Sequence, residues 1–390
     1  MRLILRISAI RLAFLFVTVA FGLQETEAGR LVNGQVPAAA RALLPEGELA
    51  GDKRLDLAIG LPLRDPAGVE AFVKGVSDPA NPNFRQYLTP EQFTEKFGPT
   101  EAEYQAVINF AEANGLTVTG THPNRMIVDV NGSVADVQRT FHIRMHNFRH
   151  PTEGRTFFAP DNEPTVDVPV PIMQISGLTN YWIPRPRLRK NPLTTFTPNA
   201  APRAGSGPTG TYRGNDFRAA YVPGTSLTGA GQVVGLLEFD GYNPVDITTY
   251  LSGAGLSSVP LQNVLVSNFS GRAGSDNSEV CLDIEVAIAM APGLSKIIVY
   301  EAPNFSPWED ILSRMANDNA AKQLSCSWGG GPPSGTAEQI FQQMAAQGQT
   351  FFNASGDDNA FTGSIPFPSD SPNVVQVGGT SLLTVSPGGA

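Results

Sequence analysis

Apolar and polar positions alternate in two different ways along the chain, and the change falls near residue 213. Before it, short apolar runs predict strands at 55–63, 116–121, 126–130 and 143–148. Amphipathic segments predict helices at 67–76 and 134–141, and capping boxes begin two more helices at Thr89 and Thr100. This order of elements predicts an α+β domain of ferredoxin-like type.

After residue 213, continuous apolar strands alternate with helices. Strands are predicted at 232–239, 296–300, 323–327, 350–353 and 373–377. Helices are predicted at 279–291, 308–316 and 337–347. Such alternation indicates an α/β fold with a mainly parallel sheet and helices on both faces. Functional sites in such folds gather at the carboxyl ends of strands, and Glu238, Trp328 and Asp357 close or follow three of the predicted strands.

Two further segments flank the first region. Residues 1–28 combine three arginines with a twelve-residue apolar core and small residues before Gly29, which predicts a secretory signal peptide, with an uncleaved anchor as the alternative. Residues 183–212 are rich in Pro, Arg, Thr and Ala, which predicts either a solvated linker or a region of maturation cleavage. The predicted divisions are therefore signal 1–28, α+β domain 29–182, linker 183–212 and α/β domain 213–390.

Charge is divided unevenly in this chain of 390 residues and net charge −9. Residues 205–390 hold 6 Lys and Arg against 16 Asp and Glu. An acidic half argues against nucleic acid as a partner and suits a protein that works in acid. No segment after the signal is apolar enough to cross a membrane. The two cysteines, Cys281 and Cys326, form no cluster with histidine, which argues against zinc; they either pair or are buried free thiols.

Glu279 and Asp283 are the most informative residues, because they lie four apart in the apolar segment 278–293. On a helix they share one face, where like charges repel, and burying them unpaired is costly. Acid–base chemistry would explain such a pair. One alternative makes Glu279 the third residue of a capping box begun by Asp276. Another is a carboxylate metal site, which lacks histidine and other nearby ligands.

Histidine is absent from the α/β region, since all four lie in the first domain, at positions 122, 142, 146 and 150. A Ser-His-Asp triad within the α/β domain is thereby excluded, and a general base there must be a carboxylate. Glu279 as base, oriented by Asp283, implies work at acidic pH. Asp357 at a strand end could donate to an oxyanion if burial keeps its proton.

The chain resembles the sedolisins, which are the serine-carboxyl peptidases, because it carries several of their motifs in the same order. It resembles the kumamolisin-like members most closely. In the α/β half the motifs are Gly229-Ala230-Gly231-Gln232, the strand end at Glu238, Glu279-x-x-x-Asp283, Ser327-Trp328-Gly329-Gly330 and Ala354-Ser355-Gly356-Asp357. The first domain is similar to the activation propeptide of that family through Asp78-Pro79-x-Asn81-Pro82, Leu88-Thr89-Pro90 and Pro123-Asn124-Arg125. The resemblance covers about residues 50 to 385.

This resemblance implies a subtilisin-like α/β fold behind the propeptide. It implies Glu279 and Asp283 as the acidic catalytic pair and Asp357 as the oxyanion donor. Glu238 and Trp328 would extend their hydrogen-bond network, and Gly329 and Gly330 would pair with an extended substrate. Calcium is expected as cofactor, with its site outside this chain.

The nucleophile is the main departure from the family pattern. Gly379-Thr380-Ser381 precedes no helix, so Ser381 is considered and rejected, and the serine is expected beyond residue 390. We expect a catalytic domain that is incomplete at its C-terminus and a chain that is inactive alone.

The function expected is that of a secreted, monomeric, acid-acting serine-type endopeptidase precursor. It would act on polypeptides, with its own propeptide as intramolecular inhibitor and the histidines sensing acid. The alternatives are a non-catalytic secreted inhibitor or binding protein and an inactive truncated peptidase.

Overall fold

The computed structural model describes residues 29–188, 205–357, 360–363, 365–380, 382 and 384. The predicted signal peptide, the central part of the predicted linker and Ser381 lie outside these residues. The predicted divisions at 28, 182 and 212 remain predictions. In the described part of the chain, no helix is both long and apolar enough to cross a membrane.

The first region is built of short helices and antiparallel strands. Its elements are β1 (Arg30–Leu31), α1 (Ala38–Ala42), β2 (Gly47–Glu48), β3 (Arg54–Gly60), α2 (Pro66–Ser77), α3 (Pro90–Phe97), α4 (Glu101–Ala113), β4 (Thr117–Thr121), β5 (Ile127–Ser133), α5 (Val134–Phe141), β6 (Met145–Arg149), β7 (Thr156–Pro160), β8 (Thr165–Val166) and β9 (Gln174–Ser176). Four strands form a sheet in the order β4-β5-β3-β9, and a smaller sheet has the order β2-β6-β7.

Local sequence explains the helix starts of this region. Thr89 accepts a hydrogen bond from the amide of Gln92, whose side chain accepts from the amide of Thr89, so the predicted capping box is confirmed. Thr100 and Glu103 form the second predicted box in the same way. The apolar faces of α4, α5 and the four-stranded sheet close over one core, whereas Phe93 and Phe97 of α3 belong to a different apolar cluster.

The second region begins within the predicted linker. Its elements are β10 (Arg185–Pro186), a 3₁₀ turn (Pro208–Gly210), α6 (Gly214–Tyr221), β11 (Val233–Glu238), α7 (Pro244–Ala254), β12 (Leu261–Leu265), α8 (Asn277–Met290), β13 (Lys296–Glu301), α9 (Trp308–Asp318), β14 (Gln323–Cys326), β15 (Trp328–Gly329), α10 (Gly335–Ala346), β16 (Thr350–Ala354) and β17 (Val374–Val377). Six strands form one sheet in the order β12-β13-β11-β14-β16-β17, and every pair is parallel. The predicted fold class, a mainly parallel α/β sheet preceded by an α+β domain, is confirmed.

The helices pack in two groups, α8 with α6 and α7, and α9 with α10. Cys281 and Cys326 are buried free thiols, so the unpaired alternative is the one the structure adopts. Helices α6 and α7 and the strands β7, β9 and β12 were not predicted. β12 is an edge strand with three exposed positions out of five, so it lacks the apolar run that marks the other parallel strands.

The two regions share a continuous interface. Helices α2 and α3 pack against α9 and α10, and Phe93 and Phe97 belong to the same apolar cluster as Ile340 and Met344. The buried side chain of Asn124 donates to Ser313 Oγ and Gln343 Oε1, both at 2.9 Å. The first region is therefore docked on the second through apolar area and satisfied buried amides.

Candidate active site

The predicted site residues meet where β11 and β14 end against α8. Glu238 is the last residue of β11, and α8 packs directly on this strand. Glu279 and Asp283 lie one helical turn apart on α8, so both side chains point from one face of the helix. Glu279 is buried, while Asp283 is partly buried and keeps its Oδ2 atom inaccessible.

Glu238 has no exposed surface and accepts a hydrogen bond of 2.8 Å from the indole Nε1 of Trp328. Burial raises the pKa of Glu238 well above its usual range, and the nearby charge of Asp283 raises it further, whereas the Trp328 hydrogen bond pulls it back. A glutamic acid in this position stays protonated and neutral in acid.

Asp283 accepts a hydrogen bond from the protonated carboxyl group of Glu238. Burial raises the pKa of Asp283 to about 6, against hydrogen bonds from Ser327 and Glu238 that favour its charged form. Ser327 Oγ donates to Asp283 Oδ1 at 2.8 Å. The remaining oxygens, Glu238 Oε1 and Asp283 Oδ2, are buried and have no other hydrogen-bond partner. A proton shared between the two carboxyl groups satisfies both oxygens.

The capping-box alternative for Glu279 is wrong. In a capping box the Glu279 side chain would accept from the amide of Asp276. That amide instead donates to Asp240 Oδ2 at 2.8 Å, and the Asp276 side chain makes no capping bond. Asp240 also accepts from the amide of Gly274 at 2.7 Å, so it anchors the loop that enters α8. Glu279 therefore takes its place in the site because Asp240 fixes the start of the helix.

A corner between β14 and β15 carries Ser327 and Trp328. The buried amide of Asn353 donates to the carbonyl oxygens of Cys326 and Trp328, both at 2.9 Å, and Ser369 Oγ donates to Asn353 Oδ1. These bonds fix the carbonyl groups of the two residues on either side of Ser327. The sequence motif contains Ser327 but gives no sign that its hydroxyl reaches Asp283, and nothing in the sequence marked Asn353 as a support for the corner.

The predicted linker enters the site as a strand. β10 pairs antiparallel with β15, so that Arg185 lies opposite Gly329 and Pro186 opposite Trp328. The amide of Arg187 then donates to the carbonyl oxygen of Ser327 at 2.8 Å. Gly329 thus pairs with an extended segment. Gly330 does not, because its amide donates to the Phe367 carbonyl and its own carbonyl accepts from the indole of Trp308.

Asp357 follows β16 and lines the same cavity as Arg187. The burial that was expected for Asp357 from the sequence is not found, since its side chain is exposed. Its loop lies at the open side of the cleft, where solvent reaches the carboxyl group. The Asp357 carboxyl group would lose its contact with water, as an oxyanion donor requires, only when a bound molecule covers the cleft.

A further buried carboxyl group beside Glu238, that of Glu301, was not predicted. Glu301 ends β13, lies beside Glu238 in the sheet register and has no exposed surface. Burial raises the pKa of Glu301 to about 7, with a smaller contribution from the charge of Asp240. Its signal in the sequence is a charged residue that closes an apolar strand, the same signal that identified Glu238.

Among the described residues, no group of three or more His, Cys, Asp or Glu side chains is placed to hold a metal ion such as calcium. Calcium therefore remains a prediction from resemblance, and no chemical step is assigned to it.

Comparison with known proteins places these features in context. Residues 43–181 match the family model described as Pro-kumamolisin, activation domain. The chain is 29% identical to Sedolisin of Pseudomonas sp. (strain 101), over 90% of this chain and 63% of that protein. It is also 29% identical to Kumamolisin of Bacillus sp. (strain MN-32), over 92% of this chain and 68% of that protein. Xanthomonalisin of Xanthomonas sp. (strain T-22) is 29% identical, with 46% of its length covered. The chain thus spans about half to two thirds of the length of these relatives.

Two solved structures are also similar. One is Pseudomonas sedolisin, a serine-carboxyl proteinase, with 26% identity and a TM-score of 0.40 over 45% of this chain and 56% of that chain. The other is fervidolysin from Fervidobacterium pennivorans, with 12% identity and a TM-score of 0.40 over 90% of this chain and 46% of that chain.

Proposed function

Because the chain belongs to the sedolisin family of serine-carboxyl peptidases, we propose that it is the precursor of a secreted, acid-acting serine-type endopeptidase. One observation carries the proposal. The buried carboxyl cluster of Glu238, Glu279 and Asp283 lies under a strand of the enzyme's own linker, which is held as an extended peptide would be held.

In this proposal Glu279 is the general base that takes the proton of an attacking serine hydroxyl. No serine among the described residues is assigned as this nucleophile, and Ser381 lies outside them. Asp283 orients and tunes Glu279 from the next turn of α8, and it is itself held by Ser327 and Glu238. Trp328 fixes Glu238 and keeps water from it. Asp357 would donate to the oxyanion once a substrate covers it.

Acid operation follows from the chemistry of the cluster. Glu has an unperturbed pKa of about 4.3 and His of about 6.5, so a carboxylate stays able to accept a proton at a pH where imidazole is already charged. Glu238 keeps its proton in this range, because its pKa is raised by burial and by Asp283. One shared proton therefore limits the negative charge that faces Glu279.

Inhibition by the propeptide is the second part of the proposal. Strand β10 occupies the edge of β15 where a polypeptide substrate would add as a strand. The propeptide is also held by Glu309, whose carboxylate accepts from Ser176 Oγ at 2.9 Å and from Gln174 Nε2 at 3.3 Å. A polypeptide substrate and the linker compete for one edge.

The test is hydrolysis of a denatured protein substrate from pH 2 to 8 by the protein expressed from its complete reading frame. The proposal expects precursor processing in acid, followed by hydrolysis with an acidic optimum. Absence of hydrolysis at every pH, together with stable binding of a peptidase by the propeptide region, would instead favour the inhibitor alternative.

A further inference from the structure

The linker strand gives a register for peptides in the cleft. Arg185 and Pro186 pair antiparallel with β15, and the last hydrogen bond of this pairing joins the amide of Arg187 to the carbonyl oxygen of Ser327. Within the described part of the linker, the pairing ends at this bond. Arg187 is therefore the linker residue that lies at the end of the strand pairing.

Ser327 connects that end to the carboxyl cluster. Its carbonyl oxygen accepts from Arg187, and its hydroxyl donates to Asp283 Oδ1 at 2.8 Å. A single residue thus separates the peptide group of Arg187 from the catalytic pair assigned above. The carbonyl group of Arg187 is therefore the first linker carbonyl after the last hydrogen bond to the corner that carries Ser327.

The side chain of Arg187 lies against two glycines. A Cβ atom on Gly329 would come within 2.1 Å of Arg187 Nε and 2.5 Å of its Cζ, so the guanidinium lies directly on the Gly329 backbone. A Cβ atom on Gly356 would lie 3.5 Å from Arg187 Cδ. Gly356 also has a φ of +98°, which favours glycine. The two residues leave a slot that a long, flat cation fills.

The surroundings of the slot favour a positive charge. Asp357 lines the same cavity as Arg187, and residues 205–390 hold 16 acidic against 6 basic side chains. A cleft in such a region attracts cations. The neighbouring Arg185 is exposed and pairs with Glu153 of the propeptide at 3.0 Å, so it contributes its charge to a different contact.

Resting on the proposed function, we propose that this cleft selects an arginine at the residue whose carbonyl is attacked, and that the Arg187–Leu188 bond is where the precursor cleaves itself. In that hydrolysis the bond between the Arg187 carbonyl carbon and the Leu188 nitrogen breaks. One water is consumed: its hydroxyl completes a carboxyl group on Arg187, and its hydrogen completes the amine of Leu188.

Processing of the protein expressed from its complete reading frame is the first test. N-terminal sequencing of the mature product at acidic pH should begin at Leu188. Arg187→Ala should slow cleavage at this bond about 10-fold to 100-fold, the cost of an unfilled specificity pocket. Arg185→Ala is the matched control and should leave the cleavage position unchanged. A first cleavage at another bond in both the wild type and Arg185→Ala would overturn the proposal.

Peptide hydrolysis by the mature enzyme is the second test, and its comparison of two peptides needs only the wild-type protein. Peptides that contain Pro-Arg-Leu and Pro-Ala-Leu differ only in the side chain at the slot. We expect kcat/KM to favour arginine about 10-fold or more. Gly329→Ala should reduce this preference, because the new Cβ occupies the place of the guanidinium.

The outcomes separate the two proposals. Hydrolysis of a denatured protein with equal rates on the two peptides overturns arginine selection and leaves the peptidase function standing. Absence of hydrolysis on every substrate overturns the function and the selection together.

Discussion

The indole Nε1 of Trp328 lies 2.8 Å from Oε2 of Glu238, and neither side chain has exposed surface. The two residues come from different strands, 90 positions apart in the chain. Their hydrogen bond ties the corner that carries Ser327 to the carboxyl cluster. The corner between β14 and β15, which pairs with the linker, and the protonated carboxyl group of Glu238 are therefore held together.

Replacing Trp328 with Phe should lower the free energy of unfolding by about 1–3 kcal/mol, the cost of a buried acceptor that loses its donor. The pKa of Glu238 should rise further, because the lost hydrogen bond held it down. Urea unfolding over a range of pH measures both effects. Trp308→Phe is the matched control: its indole donates to the Gly330 carbonyl, so stability should fall without a change in the titration of the cluster. Equal titration in the two variants would contradict the prediction.

Replacing Ser327 with Ala should raise the pKa of Asp283 above its present value of about 6, since the hydroxyl stabilises the charged form. The acid limb of kcat/KM should then move to higher pH. Ser325→Ala, two residues earlier on β14, is the control and should leave the limb in place. An unmoved limb in Ser327→Ala would show that Asp283 is tuned by other groups.

A carboxyl pair lies across the propeptide interface. Asp310 on α9 is buried, accepts from Ser267 Oγ at 2.8 Å and faces Asp129 of the propeptide, which contacts His122 at 2.8 Å. Burial raises the pKa of Asp310 well above its usual range, and the charges of Asp129 and Glu309 raise it further. Asp310 is then protonated and donates to Asp129, which satisfies their inner oxygens.

This interaction makes the docked propeptide more stable in acid, so it does not promote release of the propeptide at low pH. A pKa raised by docking stabilises the docked state at low pH, and that contribution is lost as pH rises through the raised value. Asp310→Asn keeps a donor for Asp129 but cannot ionise, so its precursor should lose less stability than the wild type between pH 5 and pH 8. Thermal unfolding at both pH values measures this, with exposed Asp246→Asn as the charge-matched control. A steeper loss in Asp310→Asn would refute the shared proton.

Histidine 150 is the best placed of the four histidines to sense acid near the linker. It is buried, it stacks on Tyr181 with ring centroids 4.6 Å apart, and its Nδ1 accepts from the amide of Glu153 at 3.0 Å. Protonation at Nδ1 removes that acceptor and weakens the turn at 150–153, whose Glu153 carboxylate accepts from Arg185 of β10. His150→Gln should therefore shift precursor activation to lower pH, while His146→Gln should shift it less. An unchanged activation pH after all four histidines are replaced by Gln would reject the role.

Much of the architecture could be predicted because local signals and burial agree. The capping boxes at Thr89 and Thr100 and the apolar runs of β11 and β13 need no distant partner to be recognised. The edge strand β12 and the short strand β10 could not be predicted, since each is defined by the strand it pairs with and not by its own apolar pattern.

The residues of the candidate site also fall into those that local sequence predicts and those that depend on distant segments. Glu279 and Asp283 could be paired because helical spacing alone places them together. Ser327, Asn353 and Asp310 gained their contacts only from the packing of distant segments. The burial of Asp357 was expected from its position after a strand, but position along the chain does not say which side of a cleft is open.

The central claim is that a buried pair of carboxyl groups replaces imidazole as the proton acceptor. The direct measurement is kcat/KM for peptide hydrolysis in acid by the protein from its complete reading frame, with Glu279→Ala and Asp283→Ala combined, beside Glu285→Ala on the same helix. The account predicts a loss of at least about 100-fold in the double variant, the lower range for a general base, and near wild-type activity for Glu285→Ala. Undiminished hydrolysis in the double variant would contradict it.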